Sequence, residues 1–167
     1  MKKTFFAAAM AVISATAMSP AVAQDTGTLK KITDTKTLVI GYRESSVPFS
    51  YLDNNQKPIG YSMDICMKAV EAIKAKLKMP DLKVELQPVT SANRIPLLQN
   101  GTIDMECGST TNSVKRQEQV SFANTTFVTN VKVVTMKNSG IKSLADLDGQ
   151  PIATTSGTTS VQLIKQN

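Results

Sequence analysis

Apolar and polar positions recur with different periods along this chain, and the changes of period mark its elements. Residues 5–18 are apolar almost throughout, behind Lys2 and Lys3 and ahead of Ala21-Val22-Ala23. A charged start, an apolar stretch and a small-x-small site predict an export signal over residues 1–23, cleaved after Ala23. The stretch is too short and too rich in alanine for a spanning helix. Residues 24–36 are polar and predict a frayed start to the mature chain. "TLVIGYR" (37–43) is a run of β-formers and predicts a strand. Pro48, Asp53-Asn54-Asn55 and Gly60 then predict a loop holding a short hairpin. From 61 to 78 the period turns helical. Met63, Cys66, Val70, Ile73 and Leu77 recur at three-four spacing, Lys68, Glu71, Lys74 and Lys76 fall off that stripe, and Pro80 ends it. Leu82, Val84 and Leu86 alternate, which predicts a strand over 82–89. Asn93 is the expected N-cap of a short helix, with Pro96 in its first turn and Gly101 just past its end. "TIDMEC" (102–107) predicts a third strand.

This β-α-β-α-β order implies a parallel sheet with helices on its faces. In such sheets ligands bind beyond the carboxyl ends of the strands. That edge carries Arg43 after the first strand, Arg94 after the second, and "ECGSTTNSVKR" (106–116) at the third. The pattern admits two readings: a socket for a small anion inside a cationic rim, or a solvated turn with a helix cap among three surface arginines. Further on, "SFANTTFVTNVKVVTMKN" (121–138) is β-branched and aromatic and predicts a strand or two. A short helix at 143–147, a turn at Asp148-Gly149, a strand at 151–154 and a helix after Gly157 complete the reading. The roughly 40 residues after the crossover are too few to close a second layered core, so a truncated second domain is expected.

Charge and composition narrow the chemistry. Taking Lys2 and Lys3 from 19 cations against 13 acids leaves about +4 on the mature chain. There is no basic run and aromatics are sparse, so nucleic acid is not an expected partner. The chain has no histidine. Ser-His-Asp and Cys-His catalysis are excluded, and two isolated cysteines make no zinc set; no metal and no cofactor are expected.

The stretches "LVIGYRESSVPFSY", "GYSMDIC", "NRIPLLQNGTIDMECGSTTNSVKRQEQVSFA" and "TTSGTTS" resemble the extracytoplasmic amino-acid-binding proteins of ABC importers, solute-binding protein family 3, over roughly residues 28–165. The resemblance is closest to the members that bind glutamate and aspartate. It implies a periplasmic-binding-protein-like (type II) two-domain α/β fold: a first domain over 24–121, lacking a segment that returns near the C-terminus; a hinge or crossover over 122–130; and the incomplete start of a second domain over 131–167.

The same resemblance implies the site. Arg116 matches the arginine that pairs with the ligand α-carboxylate. Thr111 adds its N–H and hydroxyl, and Ser109 its backbone carbonyl. Thr158 and Thr159 serve from a helix N-terminus. Arg43 and Arg94, with Ser91, match the residues that meet a distal carboxylate. It further implies glutamate or aspartate over glutamine, a monomeric periplasmic receptor, and an ABC transporter permease as partner. The family's usual acidic partner for the ligand ammonium falls beyond Asn167. Cys66 on the buried helical stripe and Cys107 at a strand end are either a disulfide or two free buried thiols. Two alternative functions remain open at this stage. One is a periplasmic enzyme on the same fold, a dehydratase or a lytic transglycosylase, for which Glu44 and Glu106 are acids by position only, each read as an ordinary loop or strand-end charge. The other is a fragment with no function of its own.

Overall fold

A computed structural model describes residues 27–166 of the chain; the export-signal reading lies outside the described residues. The chain opens on helix α1 (Thr28–Thr35) and continues into strand β1 (Thr37–Tyr42). Residues 24–36 were expected to fray, but α1 forms because Leu29 and Ile32 fall on one side and reach the core. Its polar positions are equally placed: Lys31 Nζ donates to the Gly101 carbonyl at 2.7 Å and to Asp104 Oδ1 at 2.8 Å. The buried Asp104 also accepts the Val39 N–H through Oδ2 at 2.9 Å, which ties the helix to the sheet.

The loop after β1 holds a small antiparallel sheet of β2 (Ser45–Ser46), β3 (Ser50–Leu52) and β4 (Pro58–Ile59), one strand more than the predicted hairpin. Helix α2 (Tyr61–Leu77) follows as expected and ends at Lys78 in the left-handed conformation. Strand β5 (Lys83–Pro88), helix α3 (Arg94–Gln99) and strand β6 (Met105–Cys107) complete the first unit. The main sheet is parallel, in the order β5-β1-β6. Central β1 buries Leu38 and Ile40 against Met63 and Val70 of α2, Ile32 of α1, Leu82 and Cys107. Cys66, Ile73 and Leu77 flank that cluster, so the whole predicted stripe of α2 faces the sheet. The two cysteines are bonded, Cys66 to Cys107.

The remainder is extended and sparsely packed: helix α4 (Val114–Gln117), a 3-10 turn (Ala145–Leu147) where a short helix was expected, and helix α5 (Thr159–Gln166). The strands expected within 121–138 and at 151–154 do not form. Val128, Val134 and Met136 are strongly exposed, Val134 at 94%. β-branched residues favour a strand only where a neighbouring strand and a packed face receive them, and among the described residues none does. No described helix is long and apolar enough to cross a membrane.

Candidate functional site

The three parallel strands end level. Tyr42 pairs with Pro88 on one side and with Cys107 on the other, so the loops that follow leave from one edge of the sheet. Arg43 comes first. Its N–H donates to the buried Ser50 hydroxyl at 2.9 Å and its carbonyl accepts from it at 3.2 Å, which fixes the backbone where the side chain departs. The second loop is a turn that places the buried Ser91 and starts α3 at Arg94. Asn93 holds the N-cap position, but its side chain turns back: Oδ1 accepts the Thr90 N–H at 2.7 Å, while the Asn93 N–H donates to Thr90 Oγ1 at 3.2 Å. The expected cap therefore shapes the turn rather than satisfying a helix N–H. On the third loop the Gly108 carbonyl accepts the Ser62 hydroxyl at 2.7 Å, and the Ser109 and Ser46 hydroxyls meet at 2.7 Å.

Arg94 and Glu106 occupy the centre. The Arg94 side chain is 3% exposed and that of Glu106 8%. Arg94 Nη1 and Glu106 Oε1 lie 3.7 Å apart, an ion pair too long to be a hydrogen bond. Arg94 Nε and Nη1 and Glu106 Oε1 make no hydrogen bond, while Glu106 Oε2 accepts the Thr110 hydroxyl at 2.8 Å. A Cβ on residue 108 would stand 2.2 Å from Glu106 Oε1 and 2.9 Å from Arg43 Cγ, so only glycine leaves room for both side chains there. Burial lowers the pKa of Arg94, Glu106 opposes this, and the nearby charges of Arg116 and Arg43 lower it further. Burial raises the pKa of Glu106 above the ordinary carboxylate range, against the pull of Arg94, Thr110 and Arg43. Three guanidinium groups thus crowd around one carboxylate.

The chain returns to this edge near its far end. Arg116 Nη1 donates to the Thr111 carbonyl and Nη2 to the Gly157 carbonyl, each at 3.0 Å. The hydroxyls of Thr111 and Thr159 lie 3.5 Å apart, and Thr158 Oγ1 donates to the Thr155 carbonyl at 2.8 Å. Gly157, with φ of +76°, lies so close to the Thr90–Asn93 turn that a Cβ would stand 2.6 Å from both Ala92 Cα and the Ser91 oxygen. The start of α5 therefore closes over the edge of the sheet.

The predicted residues are brought together unevenly. Arg94, Ser109 and Thr111 line a cleft of about 620 Å³ that also reaches Glu106, Phe49 and Phe127; Arg43, Ser91, Arg116, Thr158 and Thr159 do not line it. They connect through the charges and contacts above instead. Glu106 is the residue that sequence reasoning undervalued. It was read as a strand-end charge and is buried among the arginines. The signal was its place inside the third strand of a parallel sheet, where a buried carboxylate survives only beside a counter-charge.

The sequence profile of the bacterial extracellular solute-binding proteins, family 3, matches residues 38–166. This chain belongs to that family. It is 56% identical over 137 residues to the glutamate/aspartate import solute-binding protein of Salmonella typhimurium, an alignment covering 82% of this chain and 45% of that protein. It is 50% identical over 157 residues to the L-glutamate/L-aspartate-binding protein of Pseudomonas aeruginosa, covering 93% and 52%. The chain spans about half the length of the curated relatives it matches. Among solved structures, an ancestral amino acid-binding protein that is a precursor of cyclohexadienyl dehydratase superposes with a TM-score of 0.71 at 28% identity, over 84% of this chain and 60% of the other. An ancestral arginine-binding protein bound to arginine superposes at 0.62 with 34% identity, over 78% and 55%. The fold class expected from the sequence, type II periplasmic-binding-protein-like, is the one these structural neighbours share.

Proposed function

We propose that this chain supplies the acid-recognising part of an extracytoplasmic receptor that captures L-glutamate or L-aspartate and delivers it to an ABC transporter permease of the inner membrane. The observation that carries this reading is the buried guanidinium of Arg94, with two nitrogens making no hydrogen bond and two further arginines close by. Buried N–H donors without acceptors are costly, and a planar guanidinium is matched by a carboxylate. Arg94 and Arg43, with Ser91, take the distal carboxylate; Arg116, with Thr111, Thr158 and Thr159, takes the α-carboxylate; the Ser109 carbonyl takes the ammonium. The names of the import proteins from Salmonella and Pseudomonas support the same ligands. They also favour a receptor over the enzymatic reading, for which the dehydratase precursor is a structural argument. Export to the periplasm as a monomer belongs to the same proposal.

Calorimetry with glutamate, aspartate and glutamine, on the product of the whole reading frame that encodes this chain, tests it. Both acids should bind and be recovered unchanged, with glutamine at least about a hundredfold weaker, because an amide side chain offers the buried guanidinium groups no anion. Equal binding of glutamine would overturn the acid specificity, and consumption of the bound compound would overturn the receptor. In the same assay Gly157→Ala should weaken glutamate binding by about tenfold, since a residue with a Cβ is strained at this positive φ and the added atom pushes α5 off the turn at Ala92. The first unit should melt as before.

A further inference from the structure

A carboxylate receptor has no evident use for a buried carboxylate of its own, and Glu106 repels any acid that approaches Arg94. Yet the fold makes room for it. Gly108 leaves the space, Thr110 holds Oε2, and Oε1 stays without a hydrogen bond within 3.7 Å of an Arg94 nitrogen that also has none. Both atoms are buried, lie near each other and lack a hydrogen-bond partner.

We propose that Glu106 is a positioning residue for Arg94 and an internal stand-in for the ligand's distal carboxylate: it compensates the guanidinium until the ligand arrives, then cedes Arg94 to the incoming carboxylate and takes up one proton from solvent. The inference rests on the reading of this site as a receptor for acidic amino acids. The new O–H bond forms on the Glu106 carboxyl, which turns from acceptor to donor and can bond the carboxylate that displaced it. The groups facing Glu106 are Arg94 from α3, Arg43 from beyond β1, Arg116 from α4 and the Thr110 hydroxyl. Burial already favours the neutral form, and a second carboxylate sharing Arg94 favours it further. The socket thus meets a dicarboxylic amino acid without holding a second buried anion beside the ligand's own, whereas an amide side chain brings no charge and triggers no uptake.

The sign follows from linkage. A group whose pKa rises on binding makes binding tighter as pH falls through its bound-state value, and the gain levels off below its free-state value. The ligand's own carboxylate titrates only near pH 4.3 and stays outside the window. Calorimetry with glutamate between pH 5.5 and 8, in buffers of different ionisation enthalpy, reads the proton count directly. Wild type should take up part of a proton and bind more tightly as pH falls, by up to about tenfold per pH unit, the limit for one proton. Glu106→Gln carries the charge of the protonated form. It should take up no proton, show a flat profile, and bind more tightly than wild type at pH 8. Glu106→Asp keeps a titrating group and should retain a slope. If Glu106 only supports the fold, Glu106→Gln binds more weakly at every pH, and that result overturns the proposal. Binding by wild type without proton uptake overturns it too while leaving the receptor intact. Failure of wild type to bind either acid removes the receptor reading and this inference with it.

Discussion

Replacing Arg94 by methionine should weaken the proposed glutamate binding by about a hundredfold to a thousandfold and make the protein's stability fall more steeply as pH rises. The first effect follows from the position of the guanidinium. At 3% exposure it is the most buried cation at the rim, and truncating one partner of a buried, charge-paired contact costs about 2–5 kcal/mol of affinity. A lysine would not restore it, since an ammonium cannot present the planar pair of donors that a carboxylate meets. Arg43 and Arg116 remain, so residual binding of the α-carboxylate is expected.

The second effect comes from Glu106. Arg94 is the strongest of the influences that hold its pKa down, and burial pushes the other way. Without Arg94 the folded-state pKa rises further above the unfolded value. Through the interval between the two, the native state then binds more protons than the unfolded chain, so stability falls as pH rises. Arg94→Met should therefore melt close to wild type at pH 5 and well below it at pH 8. Adding Glu106→Leu removes the stranded acid and should restore the melt at pH 8, because an ion pair replaced whole by apolar side chains is often neutral or stabilising. Binding should stay lost. A double variant that regained glutamate affinity would show that Arg94 does not touch the ligand.

Much of this was legible from spacing. The stripe from Met63 to Leu77 fixed α2 and its buried face, and the alternation at Leu82, Val84 and Leu86 located β5. The parallel order then put Arg43, Arg94 and the Ser109–Arg116 stretch on one edge, where the level strand ends at Tyr42, Pro88 and Cys107 do place them. What periodicity missed was decided by partners distant in sequence. Helix α1 has only Leu29 and Ile32 to mark it, and its polar anchor, Asp104, lies 73 residues from Lys31. Glu106 reads as an ordinary strand-end charge because its counter-charge sits on another element. The strands expected from Val131, Val133 and Val134 had the right residues and, among the described residues, no neighbouring strand to pair with. The approach of Gly157 to Ala92 depends on a fold-back that local pattern does not encode.

Reducing the Cys66–Cys107 bridge, or replacing both cysteines by alanine, should cost about 4 kcal/mol of stability. The bridge joins residues 41 apart, and closing a loop of that length removes this much unfolded-state entropy on the chain-entropy account. The loop it closes contains β5, α3 and β6, so the bond clamps two of the three strands' worth of topology to α2. The core it supplements is small. A single cluster, built on Ile32, Leu38, Ile40, Met63, Val70, Leu82 and the disulfide's own Cys107, carries the first unit, and small cores supply only a few kcal/mol. The melting temperature should fall by about 10 °C or more, since each kcal/mol is worth about 2–8 °C in domains of this size. Cys107 also immediately precedes Gly108, the residue that gives Glu106 its room, so reduction should loosen the loop after β6 before the sheet melts. Melts with and without reductant, each with and without glutamate, separate the two effects. Stabilisation by glutamate should shrink on reduction as well as the melting temperature itself. A fall of less than about 2 °C on reduction, below what 1 kcal/mol produces, would mean that α2 is held to the sheet by apolar packing alone.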